Sequence, residues 1–292
     1  MLTLKAALEE AAAAIGRVDA QVIVAHLLGV NRAYLIANPM RVLTESEDAR
    51  VDMGIAQRQM GLPVAYLVGK REFYSRDFTV GPDVLIPRPE TETLVEAALE
   101  RLGGSRRPPA ACPGNPQPPG GPISVLDLGT GSGAIALTLA CERVALAVTA
   151  TDASPAALAV ARSNAEALGC VERVELLHGS WYAPVAGRRF DLIVSNPPYV
   201  ADGDPHLAEG DLRFEPPHAL TDGSRDGLDS IRAIVTGARD HLIPGGWLLL
   251  EHGYDQQAAV AGLLGEAGFR ELASIPDLAG IARVAGGRSR IG

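Results

Sequence analysis

The chain has 292 residues, of which 47% are hydrophobic and only 4% are aromatic. This length fits two domains better than one small core. The formal net charge of −9 argues against a protein that tracks a nucleic-acid backbone, because such binding draws on clustered Lys and Arg.

The N-terminal region is predicted to consist of helices. Apolar side chains recur at helical spacing over residues 4–15, and Asp19 is expected to cap a second helix over residues 22–28. Thr44 is expected to open a third helix that ends near Met60, with an acidic first turn that complements the helix dipole. These apolar stripes are typical of a packed core, so nothing in this region suggests catalysis.

The pattern then changes to short segments rich in β-forming residues. Residues 71–74 and 78–80 are predicted to pair as a hairpin around the turn 75–77. Pro89 and the acids that follow it suit a helix start, and this helix is expected to run to residue 102.

Residues 103–122 contain seven prolines and five glycines, a composition that cannot pack a core, so we expect a flexible segment there. Beyond it, strands and helices alternate, which indicates a mostly parallel sheet covered on both faces. The strands are predicted at 123–128, 145–151, 172–178, 190–195 and 246–251 and near 269–275 and 281–285, and the helices at 133–141, 154–168, 226–242 and 255–267.

The cellular setting is inferred from the chain start and the cysteines. The first residues lack the basic-then-apolar plan of a secretory signal, and no apolar run approaches the length of a membrane span. Cys112, Cys141 and Cys170 are widely spaced without a C-x-x-C pair, so neither a disulfide framework nor a zinc site is indicated. We expect a cytoplasmic protein with no metal and no membrane attachment.

A glycine-rich turn follows the first strand of the alternating region. Asp127 precedes the turn, which consists of Gly129, Thr130, Gly131, Ser132 and Gly133. Glycines at a helix start let a ligand approach the backbone closely. Asp152 closes the second strand, where a carboxylate can accept both hydroxyls of a ribose. The same glycines also fit a dinucleotide fingerprint, so a nicotinamide cofactor is an alternative.

The strand at 190–195 stops abruptly at Asn196, Pro197, Pro198 and Tyr199. The prolines fix the backbone and supply no N–H, so the chain must leave the sheet in an extended form. Ligands bind beyond the carboxyl ends of parallel strands, so we expect the Asn196 amide to point into a pocket. Its oxygen and the Pro197 carbonyl then present two acceptors to a planar NH2 group, as in an amide or an exocyclic amine.

The glycine turn, Asp152 and the Asn-Pro-Pro-Tyr turn together favour S-adenosylmethionine over a nicotinamide cofactor. Trp181 follows the third strand, where an aromatic ring can cover the adenine face of a nucleoside held by Asp152. A Trp packed beneath a loop is the alternative for this residue. The interpretation is therefore a methyltransferase acting on a planar nitrogen.

Three motifs together resemble those of the HemK/PrmC family, the peptide chain release factor glutamine N5-methyltransferases. They are the segments 127–133, 196–199 and 86–92, the last of which is Ile-Pro-Arg-Pro-Glu-Thr-Glu. The likeness covers nearly the whole chain and includes segments 63–67, 214–216, 249–253 and 277–284. The one clear departure is the Pro/Gly-rich segment before the first strand.

The resemblance implies an α/β fold, a class I S-adenosylmethionine-dependent methyltransferase with a Rossmann-like, mostly parallel seven-stranded sheet. It implies a small helical domain at residues 1–62 that recognises the release factor. A β-hairpin linker at 63–87 would join this domain to the catalytic domain at 88–292, which contains the flexible segment 103–122.

The resemblance also implies a substrate and the roles of the site residues. The implied substrate is the glutamine in the Gly-Gly-Gln loop of class I release factors, and S-adenosylhomocysteine is the other product. The residues implied to contact S-adenosylmethionine are Gly129, Thr130, Gly131, Ser132, Gly133, Asp152, Trp181 and Asn196. Those implied to hold the glutamine are Asn196, Pro197, Pro198 and Tyr199, with Asn196 and Pro197 as the catalytic pair.

Other functions fit the Asn-Pro-Pro-Tyr turn. An adenine-N6 nucleic-acid methyltransferase can use such a slot after base flipping, but the acidic chain argues against a direct nucleic-acid partner. A ribosomal protein glutamine methyltransferase shares the turn, although segment 88–92 looks more like the release factor branch. In a nucleotide-binding scaffold without enzyme activity, the pair of acceptors has no purpose.

Overall fold

The computed structural model describes residues 2–103 and 122–290. Residues 104–121, which make up most of the segment predicted to be flexible, lie outside the described residues. Within the described ranges, no helix is both long enough and apolar enough to cross a bilayer.

The N-terminal region contains four helices where the sequence predicted three. They are α1 Leu4–Ile15, α2 Arg17–Leu27, α3 Arg32–Ala37 and α4 Glu45–Gln59. The expectation that Asp19 caps α2 is wrong. Gly16, at a φ of 83°, forms the junction, and Asp19 lies in the first turn, where its charge complements the helix dipole. Thr44 caps α4 as expected, through a reciprocal capping box with Glu47.

A short helix and a hairpin follow the helical region. They are α5 Val64–Val68, β1 Lys70–Phe73 and β2 Arg76–Thr79. The predicted turn at 75–77 is wrong, because the two-residue turn consists of Tyr74 and Ser75, with φ angles of 51° and 58°. Two successive left-handed residues match the twist of the flanking strands. Arg76 is therefore already paired, opposite Phe73.

The remainder of the chain forms the predicted α/β unit. Its helices are α6 Glu92–Gly103, α7 Ala134–Glu142, α8 Pro155–Ala167, α9 Pro217–Leu220, α10 Asp229–His241 and α11 Gln257–Glu266. Its strands are β3 Ile123–Leu128, β4 Leu146–Asp152, β5 Val174–His178, β6 Phe190–Ser195, β7 Leu242–Glu251, β8 Arg270–Pro276 and β9 Ala282–Arg288. The seven strands make one sheet in the order β5-β4-β3-β6-β7-β9-β8.

The sheet is parallel across β5 to β7, and β9 pairs antiparallel with both of its neighbours, β7 and β8. The mostly parallel seven-stranded sheet predicted from the alternating pattern is confirmed. Successive side chains of a strand point to opposite faces, so Val125 belongs to the core that includes residues of α6, α7 and α8, whereas Leu126 belongs to the core that includes residues of α10 and α11. The central strands are therefore buried on both sides, which explains their continuous apolar runs.

A few polar contacts join the helical region to the α/β unit. Arg58 on α4 donates from Nη1 to Asp211 of the α/β unit at 2.8 Å, while its Nε donates to Asp19 of α2, within the helical region, at 2.8 Å. The Arg213 guanidinium donates to the carbonyl of Met60 at the end of α4. The segment around residues 211–213 thus lies directly against the helical region.

The hairpin is fixed to the sheet by one buried side chain on α8. Asn164 accepts from the backbone N–H of Thr79 at 2.7 Å and donates from Nδ2 to the carbonyls of Thr79, at 3.0 Å, and of Ser132, at 2.9 Å. A single amide therefore satisfies polar groups of both the hairpin and the glycine turn.

We expect Asn164→Ala to lower the free energy of unfolding by about 1–3 kcal/mol, because the buried contact to the Ser132 carbonyl and two partly buried contacts to the Thr79 backbone are lost. Urea unfolding of the two proteins measures the difference. The control is Ser163→Ala on the exposed face of the same helix, which should change stability by less than about 0.5 kcal/mol. Equal effects of the two substitutions would contradict the assignment.

Candidate active site

A cavity lies at the carboxyl ends of the central strands. It has a volume of about 240 Å³. Strand β3 is flanked by β4 on one side and β6 on the other, so the chain order reverses at this point and the connections leave a crevice. The glycine turn after β3, Asp152 at the end of β4 and Asn196 after β6 all line this cavity.

The glycine turn is held in a conformation that only glycine adopts without strain. Gly129, Gly131 and Gly133 have φ angles of 71°, 56° and 84°. A Cβ atom at Gly133 would lie 2.8 Å from Cδ1 of Leu137, so close packing of helix on turn also requires glycine there. The N–H groups of Gly129 and Thr130 donate to the Thr151 carbonyl, at 2.9 and 3.0 Å, which fixes the turn to β4.

Asp152 is positioned by two backbone hydrogen bonds. Its Oδ2 accepts from the N–H of Gly131 and its Oδ1 from the N–H of Ser154, both at 2.8 Å. Each carboxylate oxygen keeps further lone-pair capacity. The carboxylate is thus held at the cavity wall with acceptor sites to spare.

Trp181 also lines the cavity, with its indole ring beside the glycine turn. A Cβ atom at Gly129 would lie 3.4 Å from Cζ3 of the ring, so the turn and the ring are in contact range. The backbone of Trp181 is left-handed, with φ of 45°, and its carbonyl accepts from Oγ1 of Thr151 at 3.1 Å. Trp181 and Asp152 therefore line the same cavity.

The Asn-Pro-Pro-Tyr turn is fixed where it leaves β6. Oγ of Ser195 donates to the Leu128 carbonyl at 2.7 Å, which joins the end of β6 to the end of β3. Nδ2 of Asn196 donates to Oγ1 of Thr91 at 3.2 Å, which leaves Oδ1 as the free acceptor of the amide.

The four residues of this turn lie differently with respect to the cavity. Asn196 and Pro198 are in its wall, whereas Pro197 and Tyr199 are not among the described residues that line it. The Tyr199 side chain is held behind the turn, where its hydroxyl donates to Oε1 of Glu251 at 3.1 Å.

Sequence reasoning missed part of the wall. Residues 83–85, Pro87, His218 and Ala219 line the cavity although they belong to irregular segments and a single helical turn. Buried Glu215 joins these segments, because its carboxylate accepts from the N–H of Ile86 at 2.9 Å and forms an ion pair with Arg88. Both Arg88 and Glu215 lie in motifs of the sequence, but their pairing spans more than a hundred residues.

Two fully buried carboxyl groups contact the two turns of the site, Asp127 through Thr130 and Glu251 through Tyr199. Burial raises the pKa of Asp127 from 3.8 to about 7, despite hydrogen bonds from the Thr130 hydroxyl and the Ala136 N–H. Burial likewise raises the pKa of Glu251 from 4.5 to about 7. Each carboxyl has one oxygen without a hydrogen-bond partner among the described residues, Oδ1 of Asp127 and Oε2 of Glu251. In the same described ranges, no three His, Cys, Asp or Glu side chains cluster as metal ligands do.

Family models match two parts of the chain. The model described as PrmC N-terminal domain matches residues 3–69, and the model described as Methyltransferase small domain matches residues 120–210. Curated relatives match almost end to end. A release factor glutamine methyltransferase of Xylella fastidiosa (strain Temecula1) is 49% identical, over 94% of this chain and 94% of its own. One of Burkholderia pseudomallei is 50% identical, over 92% and 91%.

Solved structures share the fold. A methyltransferase from Pyrococcus furiosus has a TM-score of 0.51 at 20% identity and covers 81% of this chain and 98% of its own. The 16S rRNA N2 G1207 methyltransferase of T. thermophilus, solved with AdoMet and guanosine, also has a TM-score of 0.51, at 25% identity over 76% of this chain and half of its own. These likenesses agree with the class I methyltransferase fold.

The raised pKa of Asp127 predicts how the stability of the protein changes with pH. The folded state holds this proton more tightly than the unfolded chain, so wild-type stability is lost as pH rises from about 4 towards about 7. Asp127→Asn has no proton to lose. We therefore expect the melting temperature of the variant, relative to wild type, to increase between about pH 5 and about pH 8. Scanning calorimetry of both proteins measures this difference, and a difference independent of pH would contradict the raised pKa.

Proposed function

The chain belongs to the release factor glutamine methyltransferase family, and on that premise we propose that it methylates the side-chain amide nitrogen of a glutamine in peptide chain release factors. The methyl donor is S-adenosylmethionine. The substrate glutamine is the one in the Gly-Gly-Gln loop of class I release factors. The observation that carries this assignment is Asn196, whose amide is anchored so that Oδ1 remains as an acceptor at the wall of the cavity.

The residues around the cavity suit S-adenosylmethionine. The glycine turn has open space beside Gly131, Asp152 retains acceptor capacity for the ribose hydroxyls, and Trp181 offers a face for the adenine. When bound, the donor supplies a methyl group on a positively charged sulfur. The chain's own residues have to hold the acceptor nitrogen in line with that methyl group.

An amide nitrogen is a poor nucleophile because its lone pair is delocalised into the carbonyl. Oδ1 of Asn196 and the carbonyl of Pro197 each accept one N–H of the glutamine amide in this proposal. The two acceptors hold the nitrogen and stabilise the positive charge that grows on it during transfer. No strong base is required before transfer, because the nitrogen loses its proton afterwards. Pro198 and Tyr199 shape the slot, Pro198 from the cavity wall and Tyr199 from behind it.

The release factor is the only macromolecular partner in this proposal, with no direct nucleic-acid contact and no membrane contact. The net charge of −9 supports that limit on nucleic acid. The helical region before the hairpin, which the N-terminal family model matches, is the part we assign to recognition of the release factor.

The direct test incubates the protein with methyl-labelled S-adenosylmethionine and three acceptors in parallel. These are a purified class I release factor, its variant with the Gly-Gly-Gln glutamine replaced, and duplex DNA. We expect label on the native factor alone. Label on DNA would make an adenine methyltransferase the better reading, and label on the replaced variant would place the modification elsewhere in the factor.

We expect Asn196→Ala to lower kcat by about 10²–10³, the usual cost of removing one preorganised contact to a transition state. The binding constant for S-adenosylmethionine should change far less. Single-turnover kinetics with the release factor measures the first quantity and calorimetry the second. Asp152→Asn should have the opposite effect, because it should weaken the binding of S-adenosylmethionine more than it lowers the rate of methyl transfer. Normal turnover by Asn196→Ala would refute the role of its amide.

A further inference from the structure

The proposed reaction depends on which end of the Asn196 amide faces the cavity. With Oδ1 in the cavity the residue accepts a hydrogen bond from the substrate amide, and with Nδ2 there it would oppose that amide with a second donor. The two orientations occupy the same space, so packing cannot choose between them. Only the hydrogen-bond partners of the amide can determine which of the two orientations it adopts.

The partner of the Asn196 amide is the hydroxyl of Thr91, in the short 3-10 turn Pro89–Thr91 that precedes α6. Thr91 is buried, so water cannot replace this contact freely. A hydroxyl has one hydrogen to donate and lone pairs to accept with. If that hydrogen is committed to another group, the hydroxyl presents only lone pairs to Asn196, and Nδ2 must be the end that turns towards it.

Glu251 is the group that can commit the Thr91 hydrogen. It ends β7, the strand paired with β6, with Leu250 opposite Ser195 in the register. The Glu251 side chain is buried, its Oε1 accepts from the Tyr199 hydroxyl, and the nearby Thr91 hydroxyl lowers the pKa of its carboxyl group. Its Oε2 has no hydrogen-bond partner in the described part of the chain. An unpaired buried carboxylate oxygen is costly, so it draws the nearby hydroxyl hydrogen towards itself.

We propose that Glu251, acting through the Thr91 hydroxyl, fixes the Asn196 amide with Oδ1 towards the substrate, so that Glu251 and Thr91 are positioning residues for the methyl transfer. This inference rests on the proposed function for its catalytic meaning. The orientation of the amide itself is a property of the free protein. We call the proposed chain of hydrogen bonds from Glu251 through Thr91 to Asn196 the relay. Glu251 and Thr91 can act through it without touching the donor or the glutamine.

The relay depends on the charge of Glu251. A protonated Glu251 can donate to Oγ1 of Thr91, whose hydrogen then turns to Oδ1 of Asn196 and reverses the amide. Burial raises the pKa of Glu251 to about 7, while hydrogen bonds from Thr91 and Tyr199 and the charge of Arg283 on β9 oppose that rise. The charge of Glu90 reinforces it. His252, the next residue in the chain, is buried, and this burial lowers the pKa of its imidazole and so favours the neutral form.

The first test reads the amide without any substrate. The side-chain NH2 signal of Asn196 is identified in the NMR spectrum of nitrogen-labelled protein by its loss in Asn196→Ala. We expect this signal to shift with pH between about pH 5.5 and about pH 8.5 in wild type. The shift should be absent in Glu251→Gln and in Thr91→Val, and kept in Thr91→Ser. Asp127→Asn is the matched control, because it removes the other buried acid near the cavity and should leave the titration in place.

The second test measures transfer to the release factor. We expect Glu251→Gln and Thr91→Val to lower kcat about 10- to 100-fold, less than removal of the Asn196 side chain, with KM for S-adenosylmethionine changed less than about threefold. Thr91→Ser should recover most of the rate, because it restores the hydroxyl. The acid limb of the kcat profile in wild type should be missing from both Glu251→Gln and Thr91→Val.

The two tests separate failure of the relay from failure of the proposed function. An Asn196 signal that does not titrate, or that titrates equally in Glu251→Gln and Thr91→Val, overturns the relay whether or not methylation occurs. A titration that disappears in those two variants, with no methylation of the release factor, supports the relay and refutes the proposed substrate. Equal rates for Thr91→Ser and Thr91→Val would also overturn the relay, because the hydroxyl would then have no role.

Discussion

The parallel pairing of β3 with β6 is the constraint on which the rest of the site depends. In this register Leu128 lies opposite Ser195, so the two strands end at the same level. The hydroxyl of Ser195 then donates a hydrogen bond to the Leu128 carbonyl, which joins the ends of the two strands. As a result the glycine turn and the Asn-Pro-Pro-Tyr turn begin side by side, although some sixty residues separate them in the chain. A shift of one residue would turn every side chain of β6 to the opposite face and lose both cores.

Much of this arrangement follows from the sequence, because its signals are local. Strand ends, glycine turns and a pair of prolines are each written in a few consecutive residues, which is why the sheet and the cavity residues after β3, β4 and β6 could be expected. The errors also have local causes. The α2 start was misplaced because Gly16 allows a helix-to-helix junction without a loop, and the hairpin turn because Tyr74 and Ser75 are not residues that usually adopt positive φ.

What the sequence did not reveal are the contacts between distant irregular segments. Thr91 meets Asn196 across about a hundred residues, and Glu215 meets Ile86 and Arg88 across a similar distance. Neither contact has a periodic pattern, and a Thr or Glu inside a motif gives no sign of its partner. The segments 86–92, 214–216 and 249–253 each supply a residue with such a contact, to the cavity wall or to the Asn-Pro-Pro-Tyr turn.

Two buried acids, Asp127 and Glu251, lower the stability of the fold next to the site. Asp127 and Glu251 are both fully buried, and each keeps one oxygen without a partner among the described residues, an arrangement that an apolar pair of similar volume would avoid. Strongly perturbed carboxyl groups beside a cavity are a property of functional sites. Asp127 accepts from the hydroxyl of Thr130 in the glycine turn, and Glu251 accepts from the hydroxyl of Tyr199 in the Asn-Pro-Pro-Tyr turn. A role in structural ion pairs does not explain these contacts with the two turns that form the site. We therefore attribute the cost to orientation: each acid sets the direction of a hydroxyl, and that hydroxyl sets the geometry of a neighbouring turn.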